Sequence, residues 1–277
     1  MHLSEVDMQL VKKHNSQFVS LKYLSEEGVM QQIDASLSSI ESGDACIYTN
    51  KINLVPIEGR GFVDPFRSFP TTSFFCENIA SGKNYRQLAI KLSKDLKEYS
   101  NLILVAELSF WIAEEKLDNA GFAVDLGDKY SNLRSDIVAT LEKINIKTNT
   151  HFHGKTPSES VVGIRGNDFI ELADNIIIAK FIIQNVVDSY GLNVKFSCDS
   201  SPNLTLLIQS NKTIIDKIYS AINVKQTAIL TDSQRAKNFE IMALQRQEIG
   251  TKIALSIRLL CYNHFIPYLS FVELLLS

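Results

Sequence analysis

Cysteine is scarce in this chain. Four are present in 277 residues, Cys46, Cys76, Cys198 and Cys261, and none stands in a C-x-x-C pair. That spacing excludes a disulfide framework or a zinc knuckle and fits a reduced, cytoplasmic protein. An excess of one charge is also missing: 28 basic against 31 acidic residues leave a net charge of −3. There is no basic run with interleaved aromatics, so nothing favours nucleic acid or an anionic membrane surface. The opening MHLSEVDMQLVKK lacks the basic-then-apolar order of a signal peptide. No G-x-S-x-G, H-E-x-x-H or dinucleotide fingerprint occurs. No G-K-[ST] follows the glycines of GRGFVDPFR (59–67), which makes that segment a turn rather than a phosphate loop.

Long hydrophobic runs are lacking too. The most apolar segment, 253–277, is interrupted by Arg258, Asn263, His264, Pro267 and Glu273. Its unbroken stretches fall well short of the ~20 residues that a helical span needs. It reads as a buried strand followed by a terminal helix, with a tail anchor as the alternative.

What is present is ordinary globular composition, 45% hydrophobic and 21% charged, in a chain long enough to bury a core. FVSLKYLSEEGVMQQI (18–33) predicts a hairpin about the turn-forming cluster Ser25-Glu26-Glu27-Gly28. ACIYTN and KINLVPI (45–57) continue as short strands, and EGRGFVDPFRSFPTT (58–72) reads as a loop. Apolar residues three and four apart predict helices over 84–99 and 131–144. The longest helix is expected over 167–191, with Asp168 at its start and Gly191 as its C-terminal cap. LILVAELSFWI (102–112) reads as a long strand whose alternation puts Glu107, Ser109 and Trp111 on one face. THFHGKTPSE (150–159) opens as another strand, and NVKFSCD (193–199) and NLTLLIQ (203–209) as a strand pair. Strands come first, then helices alternate with strands without a βαβ rhythm. An α+β fold with a mostly antiparallel sheet is the expectation.

Two places suggest chemistry. His151 and His153 are two apart, so on a strand they point the same way, as a metal pair would. Two ligands do not hold zinc, and Glu159 is the only nearby third; solvated or core-edge histidines are the competing reading. Glu107 lies within apolar LVAELSFW, either at a solvated strand face or in a functional cleft. If buried, it needs a partner.

Taken in order, the segments resemble glutamine synthetase. FVSLKYL resembles the family's F-V-D-L-R-F, and INLVPIEGRGFVDPFR (52–67) its M-x-L-x-P-D-x-x-T-x-x-x-D-P-F. SFFCEN resembles its C-D-V strand, and NYRQLAIKLSKDL its D-P-R-x-x-A-K-R-A helix. VAELSFWI sits where the family has G-P-E-x-E-F-F. NAGFAVDLGDKYSNLR resembles G-Y-x-x-x-P-x-D-x-x-x-x-x-R, and HFHGKTPSESVV falls on H-H-E-V-A-x-x-Q-x-E. FIELADNIIIAK resembles D-x-L-x-x-A-D-x-x-x-x-x-K, and FIPYLSFVELLLS the late N-P-Y-L-x-F-x-A-L-L. Only 211–252 finds no counterpart.

This resemblance implies a small β-grasp-like N-terminal domain over 1–75 and a shortened glutamine-synthetase-like domain over 76–277. It implies a homo-oligomer, and ATP and glutamate as candidate small-molecule ligands. It also implies metal ligands, and here the chain departs. The family's paired strand glutamates fall on Glu107 and Ser109, and the H-H-E glutamate on Gly154. The glutamate eight residues later falls on Val161 or Val162. The metal histidine falls near Thr205, and the late I-E-V-R-F glutamate near Ile257, beside Arg258. Glu107 is the sole metal-ligand position retained. The histidine preceding H-H-E's glutamate by two falls on Phe152, so His151 and His153 are expected on the opposite face. Asp44 in DAC is the nearest match to the ammonium-site aspartate, with Asp34 a poorer one. Arg235 and Arg246 lie in the region of the family's arginine-rich segment but outside its motif.

Magnesium or manganese takes roughly six oxygen ligands, mostly from carboxylates and water. Replacing glutamates by Gly, Val and Ile removes ligands and leaves ATP phosphates without counter-ions. Phosphoryl transfer depends mainly on positioning and electrostatics. Three readings follow. The first is a catalytically degenerate relative that needs no cofactor and keeps assembly or small-molecule binding. The second is an active ATP-dependent carboxylate–amine ligase using Mg2+ or Mn2+ at a site rebuilt from Glu107, Glu159 and the histidines. The third is an unrelated metal-binding or interaction protein.

Overall fold

The computed structural model describes residues 3–25, 29–42, 52–80, 85–93, 102–113, 128–156, 158–196, 203–229, 239–249 and 252–261. The chain forms two compact units, Met1–Leu88 and Ala89–Ser277.

The first unit is a four-stranded sheet under a short helix. Helix α1 (Glu5–Lys13) starts at Ser4, whose Oγ accepts the Asp7 N–H at 3.1 Å, and it carries Glu5 and Asp7 in its first turn and Lys12 and Lys13 in its last. A capping serine with charges complementing the helix dipole is a complete start-and-stop signal. Strands β1 (Phe18–Leu24) and β2 (Met30–Ser36) form the expected hairpin; α2 (Leu37–Glu41), β3 (Leu54–Val63) and β4 (Thr71–Asn78) follow. The order is β2-β1-β4-β3, with β1 parallel to β4 and the other pairs antiparallel. Val19, Leu21 and Tyr23 of β1 alternate onto one face and join Phe74, Cys76, Leu3, Val11 and Ile40 in the core. Burial raises the Cys76 thiol pKa well above its ordinary value, which keeps it an unreactive core residue.

The loop expected over 58–72 is shorter than the sequence suggested. Strand β3 runs on through Gly59 and Gly61, and its register against β4 shifts between Pro56 and Gly61. Gly59 has φ +72°, and a Cβ on Gly61 would stand 2.6 Å from the Phe74 ring. The two glycines serve an irregular strand and a close approach, not a turn.

On the other face of this sheet Ser20, Lys22 and Ser73 are buried. Lys22 Nζ lies 3.2 Å from Asp64 Oδ2 and donates to Gln32 Oε1 at 2.9 Å. Asp64 also accepts from Ser73 Oγ at 3.0 Å and from the Phe66 N–H at 3.1 Å. Desolvation lowers the Lys22 pKa, and attraction to Asp64 opposes that shift. Between the lowered folded pKa and the unfolded value of 10.5 the unfolded chain binds more protons. This group's contribution to stability therefore grows as pH rises through that window. Breaking the pair leaves the buried carboxylate with the partly exposed Arg67, whose Nε is 3.9 Å away, as its nearby cation. Lys22→Met is expected to cost about 3 kcal/mol in urea unfolding, and adding Asp64→Leu should restore most of it. A double variant no more stable than Lys22→Met would contradict the pairing.

The second unit is a larger antiparallel sheet. Helix α3 (Tyr85–Ser93) crosses the division between units and fills the first part of the helix expected over 84–99; residues 94–99 lie outside the described ones. The elements after it are β5 (Ile103–Ala113), α4 (Ser131–Lys143), β6 (Thr148–His153), β7 (Glu159–Gly166), α5 (Phe169–Ser189), β8 (Asn193–Lys195), β9 (Leu204–Ser210), α6 (Lys212–Ile229), β10 (Phe239–Ile249) and β11 (Lys252–Cys261). The order is β10-β11-β9-β5-β7-β6, with β8 paired to the end of β5. Thus β8 and β9 are not a pair: each pairs with β5, β9 over Ile103–Leu108 and β8 over Trp111–Ala113. The unmatched region 211–252 holds α6 and β10.

One sheet face is mostly apolar at its centre. Leu104, Ala106, Leu108 and Phe110 of β5 stand level with Ile164 and Val162 of β7, Leu206 and Leu204 of β9, and Ile257 and Leu259 of β11, all buried. Helices α4, α5 and α6 pack on this sheet. Helix α5 begins with reciprocal caps: Asp168 Oδ1 accepts the Glu171 N–H at 2.7 Å, and Glu171 Oε2 accepts the Asn167 N–H at 2.9 Å. Gly191, at φ +70°, follows its end as expected. Among the described residues no helix is long and apolar enough to cross a membrane. The terminal helix or anchor expected after β11 falls on residues outside the described ones.

Candidate functional site

The face of the large sheet opposite the helices carries the candidate site. Strand alternation puts Glu107, Ser109 and Trp111 of β5 on it, as expected. The register extends that face sideways. In one row, Thr205 of β9 stands opposite Glu107 on one side and Gly163 of β7 on the other. Arg258 of β11 is opposite Thr205, so the row reads Arg258–Thr205–Glu107–Gly163. In the next, Ser109 stands opposite Val161, and Val161 opposite Phe152 of β6. The Ser109 N–H donates to the Asn203 carbonyl at 3.0 Å.

These rows resolve two open positions. Of Val161 and Val162, only Val161 is on this face; Val162 is fully buried in the helix-facing layer. Ile257 is opposite Leu206 in the helix-facing layer, whereas Arg258 is in the row of Glu107. The two histidines lie on the helix side: His151 is opposite Val162 and His153 opposite Ser160. His151 Nδ1 is buried and has no hydrogen-bond partner among the described residues. Ser160 is claimed by Arg134, which donates to its Oγ at 3.3 Å and forms an ion pair with Asp128. Asp128 and Arg134 are the aspartate and arginine of the D-x-x-x-x-x-R motif. They are structural here, pinning the start of α4 to β7.

Glu159 does not join the histidines. It ends the β6–β7 turn, where its Oε2 accepts the Lys155 N–H at 2.8 Å and its carbonyl accepts the Gly154 N–H at 2.9 Å. Its side chain fills the space beside Gly154: a Cβ there would stand 2.3 Å from Glu159 Cδ. Gly154 has room for no side chain unless Glu159 leaves. Asp44 and Arg235 lie outside the described residues. Asp34 accepts from Arg67 at 2.8 Å in the first unit, and Arg246 is 2.9 Å from Asp216.

Among the described residues the donor set around Glu107 does not fit a divalent cation. Among the described residues no three His, Cys, Asp or Glu side chains come together to hold a metal ion. Around Glu107 the row and its neighbour offer a threonine, a serine, a glycine and a valine. Their neutral oxygens cannot replace the carboxylate charge that binds magnesium or manganese.

Comparison with known proteins fits this geometry to a family. The profile described as "Glutamine synthetase, catalytic domain" matches residues 89–203, from α3 to the start of β9. A 3-hydroxylaminophenol mutase of Cupriavidus pinatubonensis is 21% identical, covering 68% of this chain and 53% of that protein. A glutamine synthetase of Methylococcus capsulatus is 20% identical over the same shares. The glutamine synthetase of Plasmodium falciparum, solved by cryo-electron microscopy, shares the fold at a TM-score of 0.69 and 13% identity, covering 99% of this chain and 74% of that one. Residues 89–203 thus match the glutamine synthetase catalytic domain, and the chain as a whole is similar to glutamine synthetases in sequence and in fold. It spans about half the length of the two enzymes matched by sequence.

The contact between Gly154 and Glu159 yields a test. Gly154→Ala should expel the Glu159 carboxylate and lose its bond to Lys155, costing about 1 kcal/mol. Glu159→Ala should cost about the same, and the double variant no more than either single one. Additive losses in chemical denaturation would refute the shared contact.

Proposed function

We propose that this chain is a catalytically degenerate glutamine-synthetase-like protein that retains assembly or small-molecule binding. One observation carries the reading. Around Glu107, the face that would have to gather carboxylates holds Ser109, Thr205, Gly163 and Val161. ATP bound there would bring several negative charges next to a carboxylate, where the described residues offer no set of acidic ligands for the divalent cation that would neutralise them. Phosphoryl transfer is catalysed mainly by such neutralisation and by positioning, so its loss removes most of the rate.

The resemblance supports a homo-oligomer in a soluble compartment. It makes glutamate or a nucleotide the first small molecules to try. The test is phosphate release from ATP with glutamate and ammonia, in Mg2+ and separately in Mn2+. The expected outcome is no release above the uncatalysed background. Turnover that depends on the metal and disappears in Glu107→Gln would replace this reading with an active ligase.

A further inference from the structure

We propose that the crevice where β7 leads into α5 binds a small oxyanion, a carboxylate or a phosphate group, between Arg165 and Lys147. The crevice lies at the start of β5, beside Leu104. Its ligand is independent of whether the Glu107 face is catalytic.

The crevice has a volume of about 200 Å³, and Lys147, Arg165, Asn167, Glu171 and Asn175 supply its polar lining. That is below the roughly 300–1,000 Å³ of pockets for drug-sized ligands, which suits a small anion. Its two cations arrive together. The Arg165 N–H donates to the Lys147 carbonyl at 2.9 Å, so the two residues are backbone neighbours. The Arg165 carbonyl accepts from Asn175 Nδ2 at 2.8 Å, and Asn175 is only 3% exposed. A buried amide therefore fixes the backbone that carries the guanidinium, and preorganised donors lose less freedom on binding. Both cationic residues are exposed, and the Arg165 guanidinium has no hydrogen bond or ion pair among the described residues. Lys147 feels the Glu142 carboxylate, but Glu142 does not line the crevice, and its Oε1 accepts the Thr148 N–H and hydroxyl, each at 2.7 Å. The lining acid is Glu171, whose Oε2 accepts the Asn167 N–H at 2.9 Å. Lys147 and Arg165 contribute +2 and Glu171 −1, so the lining carries +1. Like charges held side by side repel, and an anion between them removes that cost. The planar fork of an arginine matches carboxylate and phosphate oxygens with two parallel bonds, and a lysine adds a point charge.

The test uses the full chain at constant ionic strength, with chloride exchanged for inorganic phosphate in one series and for malonate in another. Binding is read as a rise in thermal midpoint. An anion at about ten times its dissociation constant should raise the midpoint by roughly 4 °C. Phosphate also stabilises proteins through exclusion from their surface, so the deciding quantity is the difference between the wild type and its variants. The expected result is a saturable rise with at least one of the two anions that Arg165→Gln abolishes. Lys147→Gln should weaken the affinity about tenfold, the worth of one charge-assisted bond. Lys143→Gln, at an exposed α4 lysine outside the crevice, should leave it unchanged. Whichever anion acts tells a phosphate ligand from a carboxylate one. No saturable rise with either anion, or the same rise in the wild type and in Arg165→Gln, would overturn the proposal. Should Arg165→Gln fail to fold, Lys147→Gln decides, and an unchanged affinity there counts against the site. Absence of anion binding leaves the degenerate reading of the protein standing, and metal-dependent ATP turnover leaves the crevice standing, so the two claims fail separately.

Discussion

The register of β5 between β7 and β9 is the constraint on which the rest of this structure depends. Side chains alternate along a strand, so a slip of one residue would exchange the two faces of the sheet. The buried ladder of Leu104, Ala106, Leu108 and Phe110, matched by Ile164 and Val162 on one side and Ile208, Leu206 and Leu204 on the other, forbids that slip. Once the apolar face is committed to α4 and α5, Glu107 and Ser109 must face the other way. The same lock assigns Val161 rather than Val162, and Arg258 rather than Ile257, to the candidate site. The site's chemistry is therefore fixed by hydrophobic packing on the side of the sheet that does no chemistry.

Residues of several family-like segments serve as joints of the scaffold. Asp64 of D-P-F and Lys22 of F-V-S-L-K-Y are 42 positions apart in sequence, yet they meet as a buried ion pair within one sheet. Asp128 and Arg134 form a second joint, with Ser160, in which the arginine is buried and the carboxylate is exposed. A buried pair such as Lys22–Asp64 adds little net stability, but removing one partner is expensive.

Much of the fold was legible in the sequence. Alternation in LVAELSFW placed Glu107 on its face, and 3.6-residue spacing gave the inward side of α4 at Leu133, Ile137 and Leu141. Strand parity also put His151 and His153 on the face away from Ser109, as the register has it. Other features could not be read locally. Gly59 and Gly61 look like turn residues, and only the Phe74 ring beside Gly61 shows why the strand needs them. The partner of β9 is β5, a hundred residues earlier, where short-range pattern carries no signal. The one-residue difference between Ile257 and Arg258 depends on pairing across three strands. Helix α1 was missed although Ser4 and the flanking charges announce it. The Glu159 carboxylate beside Gly154 had no signal beyond the five-residue spacing.

In the row of Glu107 and in the next row, among the described residues, this face offers Glu107 no second carboxylate with which to hold a divalent cation. The most direct measurement is anomalous diffraction at the manganese edge from crystals of the full chain grown in excess MnCl2. The account predicts no anomalous peak within coordination distance of the Glu107 carboxylate. A peak there, ligated by Glu107 and by other groups of the chain, would contradict it.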